Sequence, residues 1–188
     1  PHHTPPPPPD IYTTAKSSAA SDVYKRQVQH RFVKRVFQEC HARGIHTALD
    51  TNGYLGDHLS DDDLAHIDLV LLDLKAYGEA LHQRVTGVEN GPILEFARRL
   101  AALQRPTWIR FVLVPGLNDD EADIAQLAAF VGGLGNVERV EILPFHKMGE
   151  FKWRELGLDY ELGDTLPPGP DLVSRVQQQF RDQGLTVF

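Results

Sequence analysis

DLVLLDLKAY, residues 68–77, decides the architecture. Its unbroken apolar run predicts a strand over 69–75 that is buried on both faces, as in a parallel sheet covered by helices. Reading outward, IHTALD (45–50), TWIRFVLV (107–114) and VERVEILPFH (137–146) have the same strand-like composition. Helical segments separate them, and this alternation is the pattern of an α/β fold with parallel strands and helices outside.

The helices are read from period and punctuation. A first is predicted over 28–43, stopped by Gly44, and a short polar turn over 60–66. Another covers 79–85 and ends at Gly87; Pro92 opens the next, whose Ile93, Leu94, Phe96, Ala97 and Leu100 form an apolar stripe. Asn118 and Glu121 form a plausible capping pair for a helix carrying Ile124, Leu127 and Val131, which the Gly132-Gly133 pair ends. After the fourth strand a polar, glycine-bearing loop is expected. A last helix follows over 170–183 with Leu172, Val173, Val176 and Phe180 inward, then Gly184 and a short LTVF tail.

Residues 1–27, PHHTPPPPPDIYTTAKSSAASDVYKRQ, have no period that can bury a face. No packed structure is expected there, and the segment reads as a flank foreign to the domain, leaving 28–188 as one unit. No apolar run approaches the roughly 18 residues of a membrane span, and no signal-peptide layout opens the chain, so the expected compartment is the cytoplasm. A formal charge of −7 argues against nonspecific nucleic-acid binding. The one cysteine in 188 residues, Cys40, excludes an intrachain disulfide and any site built from several of the chain's own thiolates. Phe32, Val33, Val36, Phe37 and Cys40 recur at helical spacing, which suits a small buried role for the thiol.

In open parallel sheets and α/β barrels, sites gather where strands end. The first strand ends in Asp50, Thr51, Asn52 and Gly53; the second carries Asp73 and Lys75 on one face with Leu74 opposite. The third places Arg110 on a face with Trp108, Val112 and Val114, and the fourth ends in Pro144, Phe145 and His146. A guanidinium on an inward face needs an anionic or carbonyl partner. Each residue also has a plain alternative. Asp50 and Asp73 can cap turns, Lys75 can be a solvated rim charge, His146 can be structural, and Arg110 can pair with Glu141 of the next strand. Convergence of four strand ends on one rim favours a bound ligand.

The ordered strings GIHTALDTNGY, DLVLLDLKAY, LEFARRLA, TWIRFVLVPGLNDDE, GNVERVEILPFHKMGEFKW and GLTVF resemble the pyruvate formate-lyase activating enzymes of the radical S-adenosylmethionine (SAM) superfamily. The resemblance runs from about Phe32 to Phe188. It implies a partial (β/α) barrel of six βα units, of which the strands here match the last four. In that family the earlier units carry a CxxxCxxC loop that binds a 4Fe-4S cluster and a Gly-Gly-Glu segment for the methionine amino group. The cluster and SAM together yield a 5′-deoxyadenosyl radical that takes a hydrogen from a glycine of the partner enzyme. Position by position, the resemblance implies SAM contacts at Asp73, Leu74, Lys75 and His146, and a monovalent-cation site from Asp50, Thr51, the Leu71 carbonyl and Asp73. It implies a contact to the partner's glycine-loop peptide at Arg110.

The implied partners are a glycyl radical enzyme, pyruvate formate-lyase, and an electron donor such as flavodoxin, with no nucleic acid and no membrane. Because the cluster cysteines have no counterpart here, the expectation is the C-terminal fragment of an activase, inactive alone. A non-catalytic half-barrel that binds a cation or nucleoside, and an activase for another glycyl radical enzyme, are the alternatives.

Overall fold

The computed structural model describes residues 30–188, so the expectations for residues 1–27 and for a helix start at 28 lie outside the described residues. Helix α1 (His30–Ala42) leads to β1 (Ala48–Thr51), a 3-10 turn (Gly56–His58) and α2 (Asp61–Ala65). Then come β2 (Leu69–Asp73), α3 (Glu79–Thr86), α4 (Gly91–Ala102), β3 (Thr107–Leu113), α5 (Glu121–Gly132) and β4 (Val137–Pro144). Two helices close the chain, α6 (Glu150–Glu155) and α7 (Pro170–Arg181). The four strands are all parallel, in the order β1-β2-β3-β4. Simple succession with a helix after each strand is what right-handed βαβ crossovers produce when they all turn the same way.

Period two divides each strand between two environments. Val70, Leu72, Leu74, Ile109, Phe111, Leu113, Val140 and Ile142 face the helices and are almost fully buried. There they meet Phe96 and Leu100 of α4, Ile124 and Leu127 of α5, and Val176 and Phe180 of α7 in one continuous core. The opposite face is only partly covered, with Leu71 and Asp73 half-buried. The continuous run of β2 is therefore not a strand sealed on both sides. Its apolar character comes from one fully packed face and a second face that is half open.

Several local expectations shift. Residues 45–47 precede the β1 ladder because the Asp68 carboxylate takes the Thr47 N–H (2.7 Å) and hydroxyl (3.0 Å). Ser60 caps α2 in a reciprocal capping box with Asp63. Burial pushes the Asp63 carboxyl up, but hydrogen bonds from Lys34 and Ser60 outweigh it and hold the group below its usual value. The cap of α5 is Asp120, which accepts from the Asp123 N–H (2.8 Å), and not Asn118. Asn118 is buried and bonded elsewhere. The loop after β4 contains α6, whose Trp153 packs on Tyr160 with ring centroids 5.9 Å apart.

The LTVF tail acts as a short extra strand. Val187 bridges Val140 in parallel, and Phe188 donates to the Val140 carbonyl (3.0 Å) while its own carbonyl accepts from Ile142 (3.0 Å). The β4 edge is thereby covered. The β1 edge has no strand beyond it among the described residues.

His82, 2 % exposed on α3, lies against the Val88 carbonyl (3.0 Å) and the Thr86 hydroxyl (3.2 Å). Burial pushes its pKa below 6.5 more strongly than the Val88 carbonyl and Glu79 pull it up; Lys75 adds to the lowering and Asp123 opposes it. The unfolded chain therefore binds the proton more readily. The stability from a neutral His82 is complete above about pH 6.5 and is lost as pH falls from there toward the depressed folded value. Urea unfolding from pH 7.5 to 5 should show this slope, and His82→Gln should flatten it; an equal slope in both proteins would contradict the assignment.

Candidate functional site

The half-open face carries charge in register. Asp50 pairs with Leu71 across β1 and β2, and Asp73 pairs with Arg110, which pairs in turn with Glu141. Asp50, Asp73 and Arg110 thus project from three adjacent strands toward one place. The Arg110 guanidinium donates Nε to Asp73 Oδ1 (2.9 Å), and its Nη2 bridges Asp73 Oδ1 (2.8 Å) and Asp50 Oδ1. Lys75, whose Nζ donates to Asp73 Oδ2 (3.2 Å), adds a second cation on the far side of the same carboxylate. Burial works against the Arg110 charge, but Asp73 and Asp50 more than offset it and raise its pKa above the ordinary arginine value.

The remaining residues expected at the rim are placed differently. Thr51 turns its hydroxyl to the Gly53 N–H (3.0 Å). Leu74 sends its side chain into the core, and its N–H is used by the Arg110 carbonyl (3.0 Å). His146 lies past the end of β4, with Nδ1 accepting a 3.4 Å bond from the Met148 N–H. The structure therefore brings Asp50, Asp73, Lys75 and Arg110 together, whereas the recorded contact of His146 is a local one.

The alternative pairing of Arg110 with Glu141 does not occur. Glu141 is taken by Arg139, two residues away on its own strand. The Arg139 guanidinium also stacks on Trp108 (3.8 Å to the ring centroid) and on Phe188 (4.7 Å), and the Trp108 indole donates to Glu138 (3.0 Å). Sequence reasoning missed this second cluster. Its signal was present, because period two in VERVEIL puts Arg139 and Glu141 on the face of Arg110.

An iron-sulfur cluster does not fit the residues of this chain. Cys40 is the one thiol in the sequence and sits half-buried on α1, lining an apolar trough with Phe32, Val36 and Ile45. Among the described residues no group of three or more His, Cys, Asp or Glu side chains is arranged to hold a metal ion. A polar small molecule suits the donor set at the strand ends better, since carboxylate acceptors and a lysine donor stand side by side there.

The family model described as the radical SAM superfamily matches residues 24–128. The chain belongs to the radical SAM superfamily. It is also a homologue of pyruvate formate-lyase activating enzymes. It is 42 % identical over 163 residues to the pyruvate formate-lyase 1-activating enzyme of Escherichia coli (strain K12), covering 86 % of this chain and 66 % of that protein. Against the pyruvate formate-lyase-activating enzyme of Staphylococcus epidermidis (strain ATCC 12228 / FDA PCI 1200) the identity is 39 %, over 84 % of this chain and 65 % of the relative. The chain thus spans about two thirds of the length of the curated relatives it matches. A crystallised domain of a pyruvate-formate lyase-activating enzyme from Bacteroides vulgatus ATCC 8482 superposes with a TM-score of 0.70 at 25 % identity, covering 90 % of this chain and 94 % of that domain. The radical SAM partial-barrel architecture is therefore the architecture here.

Replacing Arg110 by Met leaves two partly buried carboxylates without their shared cation. The cost should be about 1.5–3 kcal/mol in urea unfolding, the scale of hydrogen bonds to charged groups. Asp50→Asn should recover part of that loss in the double variant; strictly additive costs would show that the three groups do not act together.

Proposed function

We propose that the chain is part of a glycyl-radical-enzyme activase and that its strand-end rim takes SAM. The observation that supports this most is identity of 42 % to an activating enzyme across 86 % of the chain. The rim agrees chemically with the reading. Asp73 offers acceptors suited to ribose hydroxyls or an amino group, and Lys75, held at 8 % exposure, offers a donor suited to a carboxylate or ribose oxygen. His146, past the end of β4 and two strands from β2, is a further contact, and Leu74 contributes through its main chain. Asp50, Asp73, the Thr51 hydroxyl and the Leu71 carbonyl would supply oxygens to a monovalent cation beside the cofactor once Arg110 withdraws from between the two carboxylates.

When bound, SAM supplies the radical precursor for hydrogen abstraction from a glycine. The chain's own residues bind and orient it, and Arg110, released from one of its carboxylates, meets the partner's peptide. Pyruvate formate-lyase is the proposed partner, with a flavodoxin-type donor for electrons. The lone cysteine supports a second reading, in which this half-barrel binds SAM or a nucleoside without redox chemistry of its own.

Equilibrium dialysis with radiolabelled SAM and iron and acid-labile sulfide assays after anaerobic reconstitution test both. The chain alone should bind SAM, weaken on Lys75→Ala, and retain no 4Fe-4S cluster. Fused to a CxxxCxxC-bearing segment of an activating enzyme, it should gain the cluster and release 5′-deoxyadenosine. A fusion that holds the cluster yet never cleaves SAM favours the binding module, and absence of SAM binding in every form rejects the rim assignment.

A further inference from the structure

The main chain immediately after Lys75 is held by side chains from three separate elements. Asn118, 2 % exposed in the loop before α5, donates through Nδ2 to the Lys75 carbonyl (3.0 Å) and the Val112 carbonyl (2.9 Å), and its Oδ1 accepts from the Val114 N–H (2.8 Å). One amide therefore ties the end of β2 to the end of β3. Asp123, 8 % exposed on α5, receives the Tyr77 N–H (3.0 Å) on Oδ2 and the Gly78 N–H (2.6 Å) on Oδ1. Asn90, just before α4, donates to the Tyr77 carbonyl, and its own N–H is fixed by Glu79 (3.1 Å).

A loop at the surface ordinarily leaves such groups to water. Here a carboxylate and two amides are buried to serve them, which costs desolvation that only full pairing offsets. The fit is close as well: a Cβ on Gly78 would stand 2.8 Å from Asp123 Oδ1, so glycine is what permits the approach. The loop held this way is the one that carries Lys75, and Lys75 in turn fixes the Asp73 carboxylate.

We propose that Asn118 and Asp123 are positioning residues, which clamp residues 75–78 so that Lys75 stays aimed at Asp73 and at the ligand of the rim. This goes beyond the binding set itself and, for its effect on SAM, rests on the function proposed above. Neither side chain needs to touch the ligand. They act by denying the lysine stem the main-chain freedom that would let its ammonium leave the rim.

Asn118→Asp sets an oxygen against two carbonyls, and Asp123→Asn sets an NH2 group against one of two N–H donors. The control is Asn136→Asp, since Asn136 makes a similar pair of bonds, to the Arg105 carbonyl (2.7 Å) and the Thr107 hydroxyl (3.0 Å), at the opposite end of β3. Each full-length variant is compared by urea unfolding, by amide hydrogen exchange at Tyr77 and Gly78, by the acylation rate of Lys75 followed by peptide mass spectrometry, and by SAM dissociation constant. At matched loss of stability, the two clamp variants should speed Lys75 acylation and Tyr77/Gly78 exchange about tenfold, the factor equivalent to one lost hydrogen bond. They should weaken SAM by a similar factor, and Asn136→Asp should change neither lysine reactivity nor affinity. Equal effects in all three variants would reduce the clamp to ordinary stability and overturn the proposal. If the unaltered chain binds no SAM, the functional reading fails, while lysine acylation and amide exchange still decide whether the clamp positions Lys75.

Discussion

Arg110 joins two carboxylates from two neighbouring strands, and the rest of the site depends on that junction. A four-stranded sheet with helices on one face leaves its other face half open, and Asp50 and Asp73 project there within reach of each other. Two carboxylates in a partly dry place repel, so the arrangement persists only with a cation between them. Arg110 answers this from β3, and its planar fork reaches both acids, where an ammonium would act as a single point charge. Lys75 then takes the remaining oxygen of Asp73.

The apolar half of the molecule makes this charged half possible. Phe111 and Phe180 face each other at 6.3 Å between centroids, fastening the last helix to the middle strand, and Leu72, Ile109 and Val140 carry the core across the sheet. Parallel register then aligns the strand ends, so residues far apart in sequence meet at one rim. The sheet's two edges are treated differently. The C-terminal residues cover β4 and bring Phe188 onto Arg139, whereas the outer edge of β1 has no strand beyond it among the described residues, and Phe32 and Val36 of α1 and the following Ile45 are exposed.

The alternation of parallel strands with covering helices was legible because period-two and period-3.6 patterns record which side of each element is packed. The meeting of Asp50, Asp73, Lys75 and Arg110 was legible as a convergence of strand ends. Which acid Arg110 would choose was not, because Glu141 and Asp73 both occupy neighbouring register positions and only the competing Arg139 decides between them. Asn118 was misread for a related reason. An Asn three residues before a Glu fits a capping pattern, but Asp120, two residues on, is the cap, and Asn118 is drawn inward by three backbone groups at the ends of β2 and β3 that no local pattern reveals. The role of LTVF was hidden as well, since four residues carry too little periodicity to declare a strand.

The rim at Asp73 and Lys75 is the proposed entry point for SAM. Its most direct measurement is a titration of the isotopically labelled chain with SAM, followed residue by residue in 1H-15N spectra. Shift changes should concentrate at residues 50–53, 72–78, 110–118 and 144–148. Changes centred on the helix-covered face or on the α1 trough, or none at saturating ligand, would contradict it.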